Sequence, residues 1–207
     1  MAHGQLRHSD GVFSWTVGDV DDGATAGIWE RVTPIGTFEN GEIVQPDEDH
    51  SLNGSYCFLT ANPSDLGQNP GSNDVDGGKT TLISPLIDLS EYDGGILSYW
   101  RWYTNHQGNN PGGDYWKVDI TFDDGETWLN LENTNISNNS WEKMQFLIGD
   151  YSEYMTSQIR IRFIAEDIYH EGDNGTGGSL IEAAIDDFLI EVYNYQDEVL
   201  LGDINFD

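Results

Sequence analysis

The sequence predicts an all-β fold, an antiparallel β-sandwich of jelly-roll type, on three observations. Short stretches rich in Trp, Tyr, Phe and β-branched residues recur between turns rich in Gly, Asn, Asp and Ser. No amphipathic helix of three turns can be found, which argues against a parallel sheet, because parallel strands need long crossover connections. Finally, Leu180 to Val192 is apolar on both faces, as a central strand of a two-layer β protein would be. Strict alternation puts Ile181, Ala183, Ile185, Asp187 and Leu189 on one face and Glu182, Ala184, Asp186, Phe188 and Ile190 on the other. Trp29, Tyr99 or Trp100, Phe163 and Phe188 are expected in one core.

In chain order, Val12 to Val17 is a first short strand and Gly27 to Val32 a second, with Pro34, Gly36 and Asn40-Gly41 marking turns. Ser55 to Thr60 is a strand between acidic flanks, Gln45 to His50 and Asn73 to Gly78. Thr80 to Leu89 carries the next strand, interrupted at Pro85. Ile96 to Tyr103 is the most aromatic, with Tyr99, Arg101 and Tyr103 facing one way and Trp100 and Trp102 the other. Tyr115 to Phe122 sets Trp116, Val118, Ile120 and Phe122 against Lys117, Asp119 and Thr121, and a hairpin at Asp123-Asp124-Gly125 leads into Thr127 to Leu131. Trp141 to Ile148 and Gln158 to Ala165 follow, the latter with Arg160 and Arg162 opposite Ile159, Ile161 and Phe163. Asn105 to Gly113 and His170 to Gly178 are long loops of the kind that carry binding sites. The domain is expected over residues 11–195. Residues 1–10 are expected to form a leading linker, and 196–207 a linker into a truncated calcium-binding repeat, because Asp203, Asn205 and Asp207 have the spacing of its first ligands.

Charge narrows the function. Against 37 Asp plus Glu stand 8 Lys plus Arg, a formal charge of −29. Nucleic acid and anionic membranes would be repelled, whereas Ca²⁺, a hard ion ligated by oxygens, would be attracted. No run of 18 apolar residues exists to span a membrane. The lone Cys57 rules out an internal disulfide and reads as a buried core thiol. The predicted structural Ca²⁺ site uses Asp47, Asp49, Asn73, Asp74, Asp76 and Asp187, with Gly77-Gly78 letting backbone carbonyls approach. Against it stands the reading that Asp47 and Asp49 are solvated and that Asp187 accepts backbone amides.

Enzyme chemistry finds little support. Glu182 and Asp186 share a face but stand about 13 Å apart at strand spacing, too far for a retaining glycosidase pair. Glu182 is expected to pair with Arg160 and Arg162 instead. There is no G-x-S-x-G or H-E-x-x-H.

The combination of Asp22, Gly27-Ile28-Trp29-Glu30-Arg31, Gln45-Pro46, Asp49-His50, Asp74-Val75-Asp76-Gly77-Gly78, Thr80-Thr81-Leu82, Ser84-Pro85, Ser98 to Tyr103 and Glu182 to Phe188 resembles MAM-like, concanavalin A-like jelly-roll modules. These are appended to secreted bacterial peptidases and surface proteins, and the likeness covers Gly11 to Tyr195. It implies a non-catalytic extracellular accessory or interaction module, often with structural calcium, in a secreted or cell-surface bacterial protein. A peptidase is the expected parent, a polysaccharide or protein the expected ligand, and a monomer the expected state. Thr121, Asp123, Gly125 and Trp128 are similar to the Asp-box of sialidases, a structural hairpin device. The alternative is a carbohydrate-binding module using Tyr99, Trp100, Trp102, Tyr103 and Trp116 as a platform. An uncharacterised glycoside hydrolase is the second alternative.

Overall fold

A computed structural model of the chain describes residues 2–5, 14–149, 154–169 and 178–195. The loop from His170 to Gly177 and the repeat-like Asp203, Asn205 and Asp207 lie outside the described residues. The strands are β1 Ala2–Gln5, β2 Thr16–Val17, β3 Trp29–Val32, β4 Thr37–Glu39, β5 Glu42–Gln45, β6 Cys57–Thr60 and β7 Gly78–Ile83. They continue as β8 Gly94–Thr104, β9 Trp116–Thr121, β10 Leu129–Thr134, β11 Asn138–Ile148, β12 Arg160–Asp167 and β13 Glu182–Asn194.

Two antiparallel sheets form the sandwich. One runs β11-β8-β13-β6-β3 with β1 against β13, and the other runs β10-β9-β12-β7-β2. Trp29, Tyr99, Tyr103, Trp116 and Phe163 fill the space between them with the aliphatic residues of β9, β12 and β13. The alternation expected of β9 and β12 holds: Trp116, Val118 and Ile120 are buried, as are Ile161 and Phe163, while Arg160 and Arg162 face out.

Strict alternation fails in β13. Its pairing with β8 breaks between Asp186 and Leu189, and Asp187 takes a left-handed φ of 48°. An extra residue at such a bulge reverses the parity of everything after it. Ile181, Ala183 and Ile185 therefore face the core before the bulge, and Phe188, Ile190 and Val192 do so after it. Phe188 and Ile190 thus share the inner side with Ile185, rather than lying opposite it.

The β4–β5 hairpin is an element that the sequence pattern underplays. Asn40 and Gly41, with φ of 51° and 86°, form its turn, a sequence pair suited to two left-handed positions. It covers the outer face of the β8–β13–β6 sheet, where Cys57, Leu59, Trp102 and Ala184 make a second apolar cluster with Ile43, Val32 and Trp141. The indole of Trp102 donates to Val44 O at 2.7 Å, which fixes the hairpin to the sheet. Burial pushes the Cys57 thiol up to about 12, so it is an inert core group.

The β9–β10 turn matches the Asp-box reading. Asp123 accepts Thr127 N–H and Thr127 Oγ1–H at 2.9 and 2.6 Å, and Thr121 Oγ1 accepts Gly125 N–H at 2.9 Å. The hydroxyls of Thr121 and Thr127 hold the Asp123 carboxyl down at about 2. Trp128 packs against Gly125 and is covered on one side by the Arg162 guanidinium at 4.3 Å.

Two left-handed glycines separate backbone strain from crowding. At Gly41 nothing lies within 4 Å of an added Cβ, whereas at Gly27, with φ of 67°, a Cβ would fall 2.3 Å from Val75 Cα. Gly41→Ala is expected to lose roughly 1–2 kcal/mol, the cost of a left-handed non-glycine residue. Gly27→Ala should lose about 3 kcal/mol or more, because overpacking adds to that cost. Equal losses in urea unfolding would contradict the close crossing of the two segments.

Candidate cation site

The metal expectation divides on folding. Val75 is fully buried in the core, and its N–H donates to Ile181 O at 3.0 Å. Alternation along this extended segment then turns Asp74 and Asp76 toward the same cavity, where both are buried at 3% and 5% exposure. The cavity is about 210 Å³ and is also lined by Glu39, Asn69, Asn109 and Ser179. Every one of these side chains offers oxygen, and none is cationic.

Two further carboxylates back this cavity. Asp167 and Glu182 are fully buried, and the charges of Asp167 and Asp76 act on Asp74, while that of Asp74 acts on Glu182. Burial, then the Asp76 charge, raises the Asp74 carboxyl to about 8. Burial, then the Asp74 charge, lifts Glu182 well above the ordinary carboxylate range. Glu182 Oε2 accepts Gln45 Nε2–H at 3.0 Å from the β4–β5 hairpin. Its Oε1, like Asp74 Oδ1, has no hydrogen-bond partner among the described residues. Nor does any Lys or Arg among them form an ion pair with Asp74 or Glu182.

The other expected ligands lie apart. Asn73 is spent on the loop, accepting from Gln68 Nε2 at 2.8 Å and donating to Asn62 O at 2.9 Å. Asp47 is exposed with its Cβ against Gly36, and Asp49 packs over Gly54. Asp187 is the exposed residue of the β13 bulge: Ser51 Oγ donates to its Oδ1 at 2.6 Å, and its Oδ2 meets His50 Nδ1 at 2.7 Å. Partial burial opposes ionisation there, but the bonds from Ser51 and His50 outweigh it and lower the carboxyl. The backbone amides expected at Asp187 go instead to Asp186 Oδ2, which accepts His50 and Ser51 N–H at 2.9 and 3.2 Å. Asp186 and Asp187 together clamp the 50–51 turn. The cause is the bulge, which points the two adjacent carboxylates at one loop.

No three acidic, imidazole or thiol groups among the described residues converge as a metal-ligand cluster. A cation at the cavity would take carboxylates of Asp74 and Asp76 and complete its shell with amide and backbone oxygens, a mixed set that Ca²⁺ accepts.

The expected pairing of Glu182 with Arg160 and Arg162 does not form. Both arginines lie on the outer face of the opposite sheet, Arg160 with Asp124 at 2.5 Å and Arg162 with Asp119 at 2.9 Å. The proposed ring platform is not a surface either. Tyr99, Tyr103 and Trp116 are in the core at 0–1% exposure and Trp102 is under the hairpin at 5%. Trp100 keeps some surface, but the His50 ring stacks on it at 3.7 Å. Residues facing the core on alternate positions of a central strand cannot also face a ligand.

Catalytic arrangements are similarly occupied. Ser51 and His50 both bond to Asp187 rather than to one another, so they do not form a serine–histidine nucleophile pair. Glu182 is sealed beneath Gln45, and Asp186 is bonded to backbone amides.

No protein-family model matches the chain, and no curated protein matches it in sequence. Among solved structures, the K1 cleaved adhesin domain of Lys-gingipain from Porphyromonas gingivalis aligns at 14% identity and a TM-score of 0.48, over 94% of this chain and 98% of that one. TmCBM61, solved with β-1,4-galactotriose, aligns at 13% identity and a TM-score of 0.45, over 85% and 86%. The enzymatically active domain of bacteriophage CBA120 tailspike protein 4 aligns at 14% identity and a TM-score of 0.47, over 86% of this chain but 19% of that one. Likenesses at this level say nothing of ligand or activity.

The raised Asp74 carboxyl predicts a pH dependence. In metal-free protein a group at about 8 folded and 3.8 unfolded binds more protons when folded, so stability falls as pH rises between those values. Asp74→Asn removes the titration. Measured in EGTA, its melting temperature should exceed that of the parent at pH 9, and the gap should close toward pH 4.

Proposed function

We propose that this domain is a non-catalytic, calcium-stabilised module of a larger secreted bacterial protein, in which Ca²⁺ sits at Asp74 and Asp76. The observation that supports it is a cavity lined by carboxylates and amides, with buried acids behind it and, among the described residues, no countercharge at Asp74 or Glu182. Leaving such groups ionised and unpaired in a protein interior is costly, and a divalent ion neutralises two at once. The occupied hydrogen bonds of Ser51, His50, Glu182 and Asp186 favour a module without chemistry of its own. A low-affinity calcium site suits extracellular concentrations, where modules bind at roughly 10⁻⁴–10⁻³ M. An accessory role beside a peptidase rests on the MAM-like residue pattern alone. Among the described residues no helix is long and apolar enough to cross a membrane.

Thermal unfolding in excess Ca²⁺ and in EGTA, at matched ionic strength, tests the site. Ionic strength matters because general screening would also stabilise a chain of charge −29. Calcium should raise the melting temperature by several degrees, more at pH 9 than at pH 6, since ligation displaces the proton held by Asp74. Asp74→Asn and Asp76→Asn should abolish the increment, and Asp47→Asn and Asp187→Asn should keep it. Identical curves in both buffers, with elemental analysis showing no calcium retained in EGTA, would sink the reading.

A further inference from the structure

We propose that the loop between β8 and β9, together with Tyr169, is a binding site for a neutral oligosaccharide. It is separate from the cation cavity and does not depend on the calcium reading. Besides Phe38, Tyr56, Tyr154 and Tyr195, the exposed rings among the described residues are Tyr115 and Tyr169, at 39% and 67%. With Asn110, Pro111, Gly112 and Gly113 they line an open cleft of about 500 Å³. Small-ligand sites occupy about 300–1,000 Å³.

The support beneath this loop is what sets it apart from an ordinary connection. Asp114 and Asn105 are 1% and 0% exposed, and their polar atoms are spent on fixing the loop. Asp114 Oδ1 accepts the N–H groups of Ile168 and Tyr169, both at 2.8 Å. Asn105 Nδ2 donates to Asp114 O at 2.6 Å, and Asn105 O accepts Gly112 N–H at 2.6 Å. Ser179 Oγ donates to Asn110 O at 2.5 Å, and Tyr103 OH donates to Asp114 O at 3.1 Å. Buried polar networks of this kind rigidify what they carry, and a rigid loop presenting exposed rings loses little entropy on binding.

The chemistry of the cleft selects the ligand. A pyranose offers a C–H face to an aromatic ring and hydroxyls to polar groups at the rim. Tyr115 and Tyr169 supply rings, while the Asn110 side-chain amide and the backbone of Gly113 supply the polar rim. A Cβ on Gly113 would fall 2.8 Å from Tyr169 Cδ1, so that ring packs directly on glycine backbone. Neutrality follows from the charge: Lys117, 6.0 Å from the Tyr115 ring centroid, is paired with Glu166 at 2.7 Å, and the chain carries −29. An acidic glycan would meet a repulsive field and, among the described residues lining the cleft, no cation.

The test is a titration of ¹⁵N-labelled, calcium-saturated protein with cellohexaose, xylohexaose, mannohexaose, β-1,4-galactotriose and an oligogalacturonate, at millimolar concentration. At least one neutral sugar should shift the amides of 109–115 and 168–169, and the oligogalacturonate should not. Tyr115→Ala and Tyr169→Ala should each weaken binding roughly tenfold, equivalent to about 1.4 kcal/mol, with the melting temperature unchanged. Tyr169→Phe should retain binding. No shift at these amides with any neutral sugar, shifts with the acidic sugar alone, or binding that survives the double tyrosine variant would each overturn the proposal. Failure here leaves the calcium-dependent melting shift intact, so the two readings fall separately.

Discussion

Carboxylates buried without matching cations are the constraint on which this fold depends. Among the described residues, several basic side chains pair with acids toward the surface or at the sandwich edge, as Lys79 does with Asp21, Lys117 with Glu166 and Arg162 with Asp19 and Asp119. Arg101 is the deepest, held by Glu132 and Glu142 beside the hydroxyl of Tyr99, which donates to Glu132. That leaves Asp74 and Glu182 among apolar elements with hydrogen bonds alone. Gln45 can give Glu182 one donor but no charge, and Asp74 raises its neighbour's proton affinity further. Such a cluster must hold protons or hold a cation. The proton balance of that cluster links stability to pH.

The hairpin makes that burial possible. Without β4 and β5 the outer face of β13 would be open, and Glu182 would be an exposed acid with an ordinary affinity for protons. Trp102, anchored to Val44, and Gln45, spanning Thr60 O, Ala61 O and Glu182, close the hairpin over it. The double-sided apolar character of β13 has this origin: Ala183 and Ile185 meet the opposite sheet, and Ala184 meets the hairpin.

Periodicity made most of the sandwich legible. The strand faces of β9 and β12 follow from period two, whereas on β8 it left Tyr99 and Trp100 as alternatives, of which Tyr99 lies in the core. What could not be read were the features that break the period or act across the sequence. Asp186-Asp187 interrupts the apolar run where the bulge lies, but strict alternation carries no sign that one residue there is extra. The Asn40-Gly41 pair was visible, but its flanking strands, Thr37–Glu39 and Glu42–Gln45, are too short and polar to announce themselves. At the candidate cation site, Asp74 and Asp76 could be found because they belong to the acidic, Gly-rich flank Asn73 to Gly78. Asp47, Asp49 and Asp187 belong to turns whose destinations depend on tertiary contacts. Asp167 ends a strand whose pattern otherwise reads as core and surface, so nothing local marks it as part of the cluster.

Aromatic residues show the same division between pattern and place. Tyr99, Trp102, Tyr103 and Trp116 sit on regular strands, and on a two-layer fold that regularity commits them to one packed face or the other. A ring escapes that commitment where the backbone leaves the sheet. Tyr115 lies just before β9 and Tyr169 just after β12, and both follow from chain ends that converge at one edge of the sandwich. Asp114 binds those two ends together through the N–H groups of Ile168 and Tyr169. The sheets thus supply rigidity, while their margins, where strands end, carry the exposed rings of Tyr115 and Tyr169.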